Sequence, residues 1–120
     1  MISKELLSLV LCKEVCGIFE EDDWLEDNEM IYNNYVGGVE DCNMVDGYIN
    51  LDTLGRLCKE YCNQLPLKRY QIYSGITAFG GSAELYSGAI KQVAENFEAS
   101  TELGAIIKAT NWIANERGLL

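Results

Sequence analysis

GYINLDTLGRLCKEYC, residues 47–62, changes its hydrophobic period partway along. GYINL reads as a strand, and Asn50 or Asp52 then stands where a helix N-cap belongs. Beyond it Leu51, Leu54, Leu57, Cys58, Tyr61 and Cys62 fall on one helical stripe, with Arg56, Lys59 and Glu60 opposite. Pro66 predicts the stop, because the residue before a proline is driven out of the helical region. A strand running straight into an amphipathic helix commits the chain to mixed architecture.

Working outward, KELLSLVL places Leu6, Leu7, Val10 and Leu11 at helical spacing behind Ser3, which predicts a first helix of about ten residues. KEVCGIF and EMIYNNYV hold β-branched and aromatic residues and read as two short strands. YVGGVEDCNMVDG reads as turn material, broken at Gly37-Gly38 and Asp46-Gly47. RYQIYSGITAF alternates as a strand does, Gly80-Gly81 is the expected hairpin turn, and SAELYSG pairs back. For AIKQVAENFEA a strand is favoured over a helix, since Gly88 would cost a helix about 1 kcal/mol. Ser100 or Thr101 caps a last helix that buries Leu103, Ile106, Ile107, Thr110 and Ile113 and closes at Gly118. The expected fold class is α+β: one antiparallel sheet of about five strands with three helices, two packed on one face. With 120 residues and no linker, repeat or low-complexity tract, residues 1–120 are read as a single domain.

Charge separates the halves. The formal net charge is −10, and from Glu14 to Gly55 there are twelve Asp or Glu and no Lys or Arg. A DNA-reading surface neutralises phosphates with cations, so this half excludes direct nucleic-acid binding and favours basic partners instead. The charge peaks in FEEDDWLEDNEM, residues 19–30, with Trp24 and Leu25 in its middle. A calcium loop requires oxygen ligands at its first, third and fifth positions. Starting at Asp22 puts Trp24 third and starting at Asp23 puts Leu25 third, so neither frame works and no metal is assigned. The bland reading is a solvated, self-repelling connection. The functional one is a partner-binding surface made by Glu20, Glu21, Asp22, Asp23, Trp24, Leu25, Glu26, Asp27 and Glu29, an apolar anchor inside a charged rim.

Catalytic chemistry finds little support. There is no histidine, which removes Cys-His and Ser-His hydrolysis together. Cys12-x3-Cys16 and Cys58-x3-Cys62 lack the spacing of zinc knuckles, and Cys58 and Cys62 lie on the apolar stripe as small hydrophobes. GITAFGGS, residues 75–82, misses a phosphate loop because Gly81 occupies the lysine position. No cofactor and no catalytic residue is assigned, and the chain is read as a non-enzyme. Five cysteines, an odd number, fit reduced thiols. LLSLVL is shorter than a secretory core or a membrane span. A cytoplasmic protein, not membrane-bound, is expected.

Two stretches carry a resemblance. In GYINLDTLGRLCKEYC it rests on Ile49, Asn50, Leu54, Cys58, Lys59, Glu60 and Tyr61. In FEASTELGAIIKATNWIANERG it rests on Thr101, Glu102, Ala105, Ile106, Lys108, Ala109, Trp112 and Ile113. Both resemble segments of small phage and prophage proteins, as does the opening KELLSLVL; together they span roughly half the chain. Where that family opens its last helix with T-E-P-E, this chain has Thr101-Glu102-Leu103-Gly104. The resemblance implies origin and architecture and names no activity. Joined to the charge, it predicts a phage- or prophage-derived accessory protein of the host cytoplasm. It would bind a basic surface on a host or phage protein, by electrostatic mimicry of nucleic acid. The alternative is a structural homo-oligomer, such as a homodimer, paired through an edge strand or through Tyr70, Tyr73, Phe79 and Tyr86.

Overall fold

The computed structural model describes residues 2–19, 28–38, 40–64, 67–88 and 92–120. The chain divides into two compact units, Ile2–Leu54 and Gly55–Leu120, with the boundary inside a helix. Among the described residues the fold is α+β with three helices and six strands, the strands forming two antiparallel three-stranded sheets.

In the first unit α1 (Lys4–Leu11) starts at Ser3, whose Oγ accepts from the Leu6 N–H at 3.2 Å. It buries Leu6, Leu7 and Val10 and packs on β1. Its C-cap, Cys12, takes a left-handed φ of 54°, unusual for a residue with a side chain. β1 (Val15–Ile18), β2 (Glu29–Val36) and β3 (Asn43–Asn50) follow in that spatial order. β2 and β3 pair over eight residues, from Glu29 with Asn50 to Val36 with Asn43.

Residues 43–47 are therefore strand, where turn material was expected. Asp46-Gly47 resembles a turn signal, but Gly47 serves a close approach instead. A Cβ placed on Gly47 would lie 2.4 Å from Cζ of Tyr32, the buried residue opposite it on β2. The glycine leaves room for the ring; it does not bend the chain.

Of the two cap candidates for α2 (Leu51–Cys62), the structure uses Asn50, whose Oδ1 accepts from the Asp52 N–H at 2.9 Å. Leu54, Cys58, Tyr61 and Cys62 are buried and Leu57 is half-buried. The helix ends at Cys62, and Pro66, the expected stop, lies outside the described residues.

The second unit holds β4 (Gln71–Thr77), β5 (Gly80–Tyr86), β6 (Phe97–Ala99) and α3 (Glu102–Glu116), with α3 packed across all three strands. The hairpin turn falls at residues 78–79, two positions before the expected Gly80-Gly81, and both glycines are the start of β5. A Cβ on Gly81 would sit 2.3 Å from Cα of Glu102, and one on Gly80 would sit 2.3 Å from the Ala99 carbonyl oxygen. They admit backbone, as Gly47 admits a ring. Strand structure before α3 is limited to residues 97–99 plus a single bridge between Gln92 and Tyr86; residues 89–91 lie outside the described set. Thr101 Oγ1 accepts from the Gly104 N–H at 3.0 Å to cap α3. Gly118, at φ 71°, lets Leu119 N–H reach the Ala114 carbonyl at 2.9 Å.

The sheet expectation needs correction. The described strands do not form one sheet of about five; each set of three pairs among sequence neighbours, one set before α2 in the chain and one after it. Short connections close at lower entropic cost than pairings across an intervening helix, so local partners prevail.

Candidate functional site

The division into units is also a division of charge. Ile2–Leu54 contains thirteen Asp or Glu and two Lys, a net −11; Gly55–Leu120 contains six Glu and seven Lys or Arg, a net +1. The whole negative excess belongs to the first unit.

Of the residues assigned to partner binding, Glu20, Glu21, Asp22, Asp23, Trp24, Leu25, Glu26 and Asp27 lie outside the described residues. Glu29 is half-buried and opens β2, opposite Asn50. Neighbouring Asn28 holds a left-handed φ of 53°, and its carbonyl accepts from the Leu51 N–H at 2.8 Å. Asn28 and Glu29 thus lie beside the start of α2.

β3 is not among the candidate sites expected from the sequence, although its second half, GYIN, reads as strand. As the outer member of its sheet it pairs with β2 along one side. Among the described residues, no other backbone hydrogen bond reaches residues 43–48. Register sorts its side chains by face. Val45, Gly47 and Ile49 lie opposite Asn34, Tyr32 and Met30, all three buried. Met44, Asp46 and Tyr48 share the other face with Tyr35, Asn33 and Ile31. There Met44 is 61% exposed and Tyr48 59%, and between them Asp46 Oδ1 accepts from Asn33 Nδ2 at 2.6 Å. Tyr35 and Val36 are exposed as well. The Tyr35 phenol is raised above its ordinary range by its electrostatic interaction and side-chain hydrogen bond with Cys16, then by desolvation, with Cys42 and Glu14 adding to it. NMVDGYIN carries its apolar residues as adjacent pairs, Met44-Val45 and Tyr48-Ile49, without clean period-two alternation, and the Asp-Gly pair between them disguised the first half of the strand.

In the second unit the tyrosines proposed for self-association separate. Tyr70 is buried edge-on against Trp112, with ring centroids 6.1 Å apart. Tyr73 is exposed and meets the half-buried Tyr86 at 5.3 Å, while Phe79, at the hairpin turn, is 96% exposed. Glu84 Oε2 accepts from the Tyr86 hydroxyl at 2.9 Å, which holds that phenol's pKa up.

All five cysteines are free. Burial pushes the Cys58 thiol up to about 11 and the Cys62 thiol up to about 12, against hydrogen bonding with Thr110, which lowers both. These thiols hold their protons and pack the core; a nucleophile needs the reverse. Nearby, the Arg117 guanidinium donates to the carbonyls of Tyr61, Cys62 and Lys68 at 3.0, 3.0 and 2.8 Å and stacks on the Tyr61 and Tyr70 rings. It closes the C-terminal end of α2, an architectural task.

Two open depressions lie in this unit. One, of about 380 Å³, is lined by Asn63, Arg69, Gln71, Tyr73 and Gly88; the other, of about 340 Å³, by Thr77, Phe79, Gly81, Glu98 and Ala99. Neither brings two carboxylates together. Among the described residues no group of three or more Cys, Asp or Glu is placed to hold a metal ion. GITAFGGS is strand, turn and strand, so its amides join a ladder and do not cradle a phosphate. No helix among the described residues is long and apolar enough to cross a membrane. Compared with protein-family models, with curated proteins and with solved structures, the chain matches none.

Proposed function

We propose that this is a small phage- or prophage-derived accessory protein of the host cytoplasm that acts by binding a protein with a basic surface, without catalysis. One observation carries the reading: a net −11 belongs to one compact unit, whereas the other carries a net +1. That arrangement costs the unit self-repulsion, and a cationic partner relieves it. Met44 and Tyr48, exposed on the same unit, supply the apolar contact that charge alone lacks. A carboxylate array of this density imitates the charge of a nucleic-acid backbone, so the natural target is a host protein whose basic surface otherwise holds nucleic acid.

The test is capture from host lysate with the wild-type chain and with a variant whose carboxylates at residues 20–29 are amides. The partner is expected with wild type and lost with the amides. Its yield should also fall with salt, since the Debye length shrinks from about 10 Å at 0.1 M to about 3 Å at 1 M. Capture unchanged by both manipulations refutes the reading. A homo-oligomer is the second reading, favoured by the exposure of Tyr73 and Phe79. Light scattering that gives a strict monomer at about 100 μM removes it.

A further inference from the structure

We infer that the outer edge of β3 is a strand-addition site for an extended, basic segment of the partner, with the side-chain pattern apolar–x–Lys/Arg–x–apolar. The inference rests on the preceding reading, that the acidic unit binds a cationic protein, and names the element and the mode.

Three features converge on β3. Among the described residues, residues 43–48 are paired with β2 on one side and make no backbone hydrogen bond on the other, as an added strand requires. Along one face, every second residue runs Met44, Asp46, Tyr48: apolar, acidic, apolar. An incoming strand places its own alternate residues against these, so the complementary order is apolar, basic, apolar. Met44 and Tyr48 are more than half exposed although they are large and apolar, so covering them releases water from both. The charge of the unit decides the occupant. A second copy pairing β3 with β3 would bring together two units of net −11 and place acidic residues near one another, whereas a cationic strand is drawn to the edge and held in register by Asp46. β4 offers a comparable edge with Ile76 exposed, but its unit is close to neutral and nothing there selects an occupant.

The probe is the peptide acetyl-KTITKTITK-amide, added to the full-length protein at low salt. Binding is followed by anisotropy and by hydrogen exchange of the β3 amides. Its control is the same peptide N-methylated at alternate amides, which keeps charge and side chains and cannot form a ladder. The unmodified peptide should slow exchange along residues 43–48, and the control should bind about tenfold more weakly, the equivalent of one or two net hydrogen bonds. A Met44→Thr/Tyr48→Thr double variant, with its fold checked by circular dichroism, should weaken the unmodified peptide by a similar factor. If both peptides bind equally and the β3 amides are unaffected, the inference is overturned and the charge-based reading stands. If neither peptide binds, the inference is overturned, and the charge-based reading is decided by the lysate capture alone. Protection of the β3 amides that grows with protein concentration and without peptide would place a second copy on the edge and overturn the assignment of the occupant.

Discussion

The two units are close in design and opposite in chemistry. Each has a three-stranded antiparallel sheet with a helix packed on it, α1 on β1 in the first and α3 across β4, β5 and β6 in the second. The second ties itself together with specific polar contacts: Ser74 Oγ donates to Glu102 Oε1 at 3.0 Å, Lys108 Nζ to the Glu98 carbonyl at 2.6 Å, and Arg117 to three carbonyls. The first has thirteen carboxylates to two lysines in its sequence and leaves most of β3 exposed. Two units that share a three-stranded antiparallel sheet thus differ in how their polar groups are used: the second engages them in internal contacts, the first carries the charge excess.

Four measurements would break or sharpen that contrast. The largest effect is expected from alkali. Both helix-α2 thiols have folded pKa values raised above the ordinary 9.0, so above pH 9 the unfolded chain loses protons that the folded chain keeps. Stability therefore falls as pH rises through this window, by roughly 4 kcal/mol between pH 9 and pH 11. Urea unfolding under reducing conditions should show the decline, and Cys58→Ala with Cys62→Ala should flatten it. A flat wild-type profile would mean that the thiols are not held in the core. Next, Gly81→Ala should cost about 3 kcal/mol, because the new methyl meets the backbone of Glu102 and forces β5 from the start of α3. Gly75→Ala, with nothing within 4 Å, is the control in the same sheet and should stay within about 0.5 kcal/mol.

Third, Gly47→Ala in the first unit should cost about 1–2 kcal/mol, less than Gly81→Ala, since the tip of the Tyr32 ring can swing where a backbone cannot. Tyrosine fluorescence or the NMR shifts of the Tyr32 ring would report the displacement. A cost equal to that of Gly81→Ala would show the first unit to be as tightly built as the second. The smallest effect belongs to Arg56→Ala. Its ion pair with Glu60, at 2.6 Å, is exposed at both ends and is worth about 0.3–0.5 kcal/mol.

Helices were the legible part of the fold. Ser3, Asn50 and Thr101 all cap where their sequences place them, because capping and amphipathic periodicity are local properties. Glycines misled. Gly47 and Gly80-Gly81 read as turns, yet each lies in a strand beside an atom brought from elsewhere in the chain. A permissive residue signals either a bend or a close neighbour, and the two are indistinguishable until the neighbour is in place. The candidate site divides similarly. The acidity of residues 14–55 is evident by counting, whereas the open edge of β3 and the exposure of Met44 and Tyr48 depend on which strand lies outermost.

By itself, then, the sequence determined the mixed α+β class, the helix caps and the half of the chain that carries the charge, all of which depend on residue order and near neighbours. Only the tertiary structure decided that the strands form two sheets, that a compact unit coincides with the acidic half, and that β3 lies at an edge. Strand partnership is a choice between distant segments, decided by closure entropy and side-chain fit, and an alternating run of residues is equally compatible with an inner strand and an outer one.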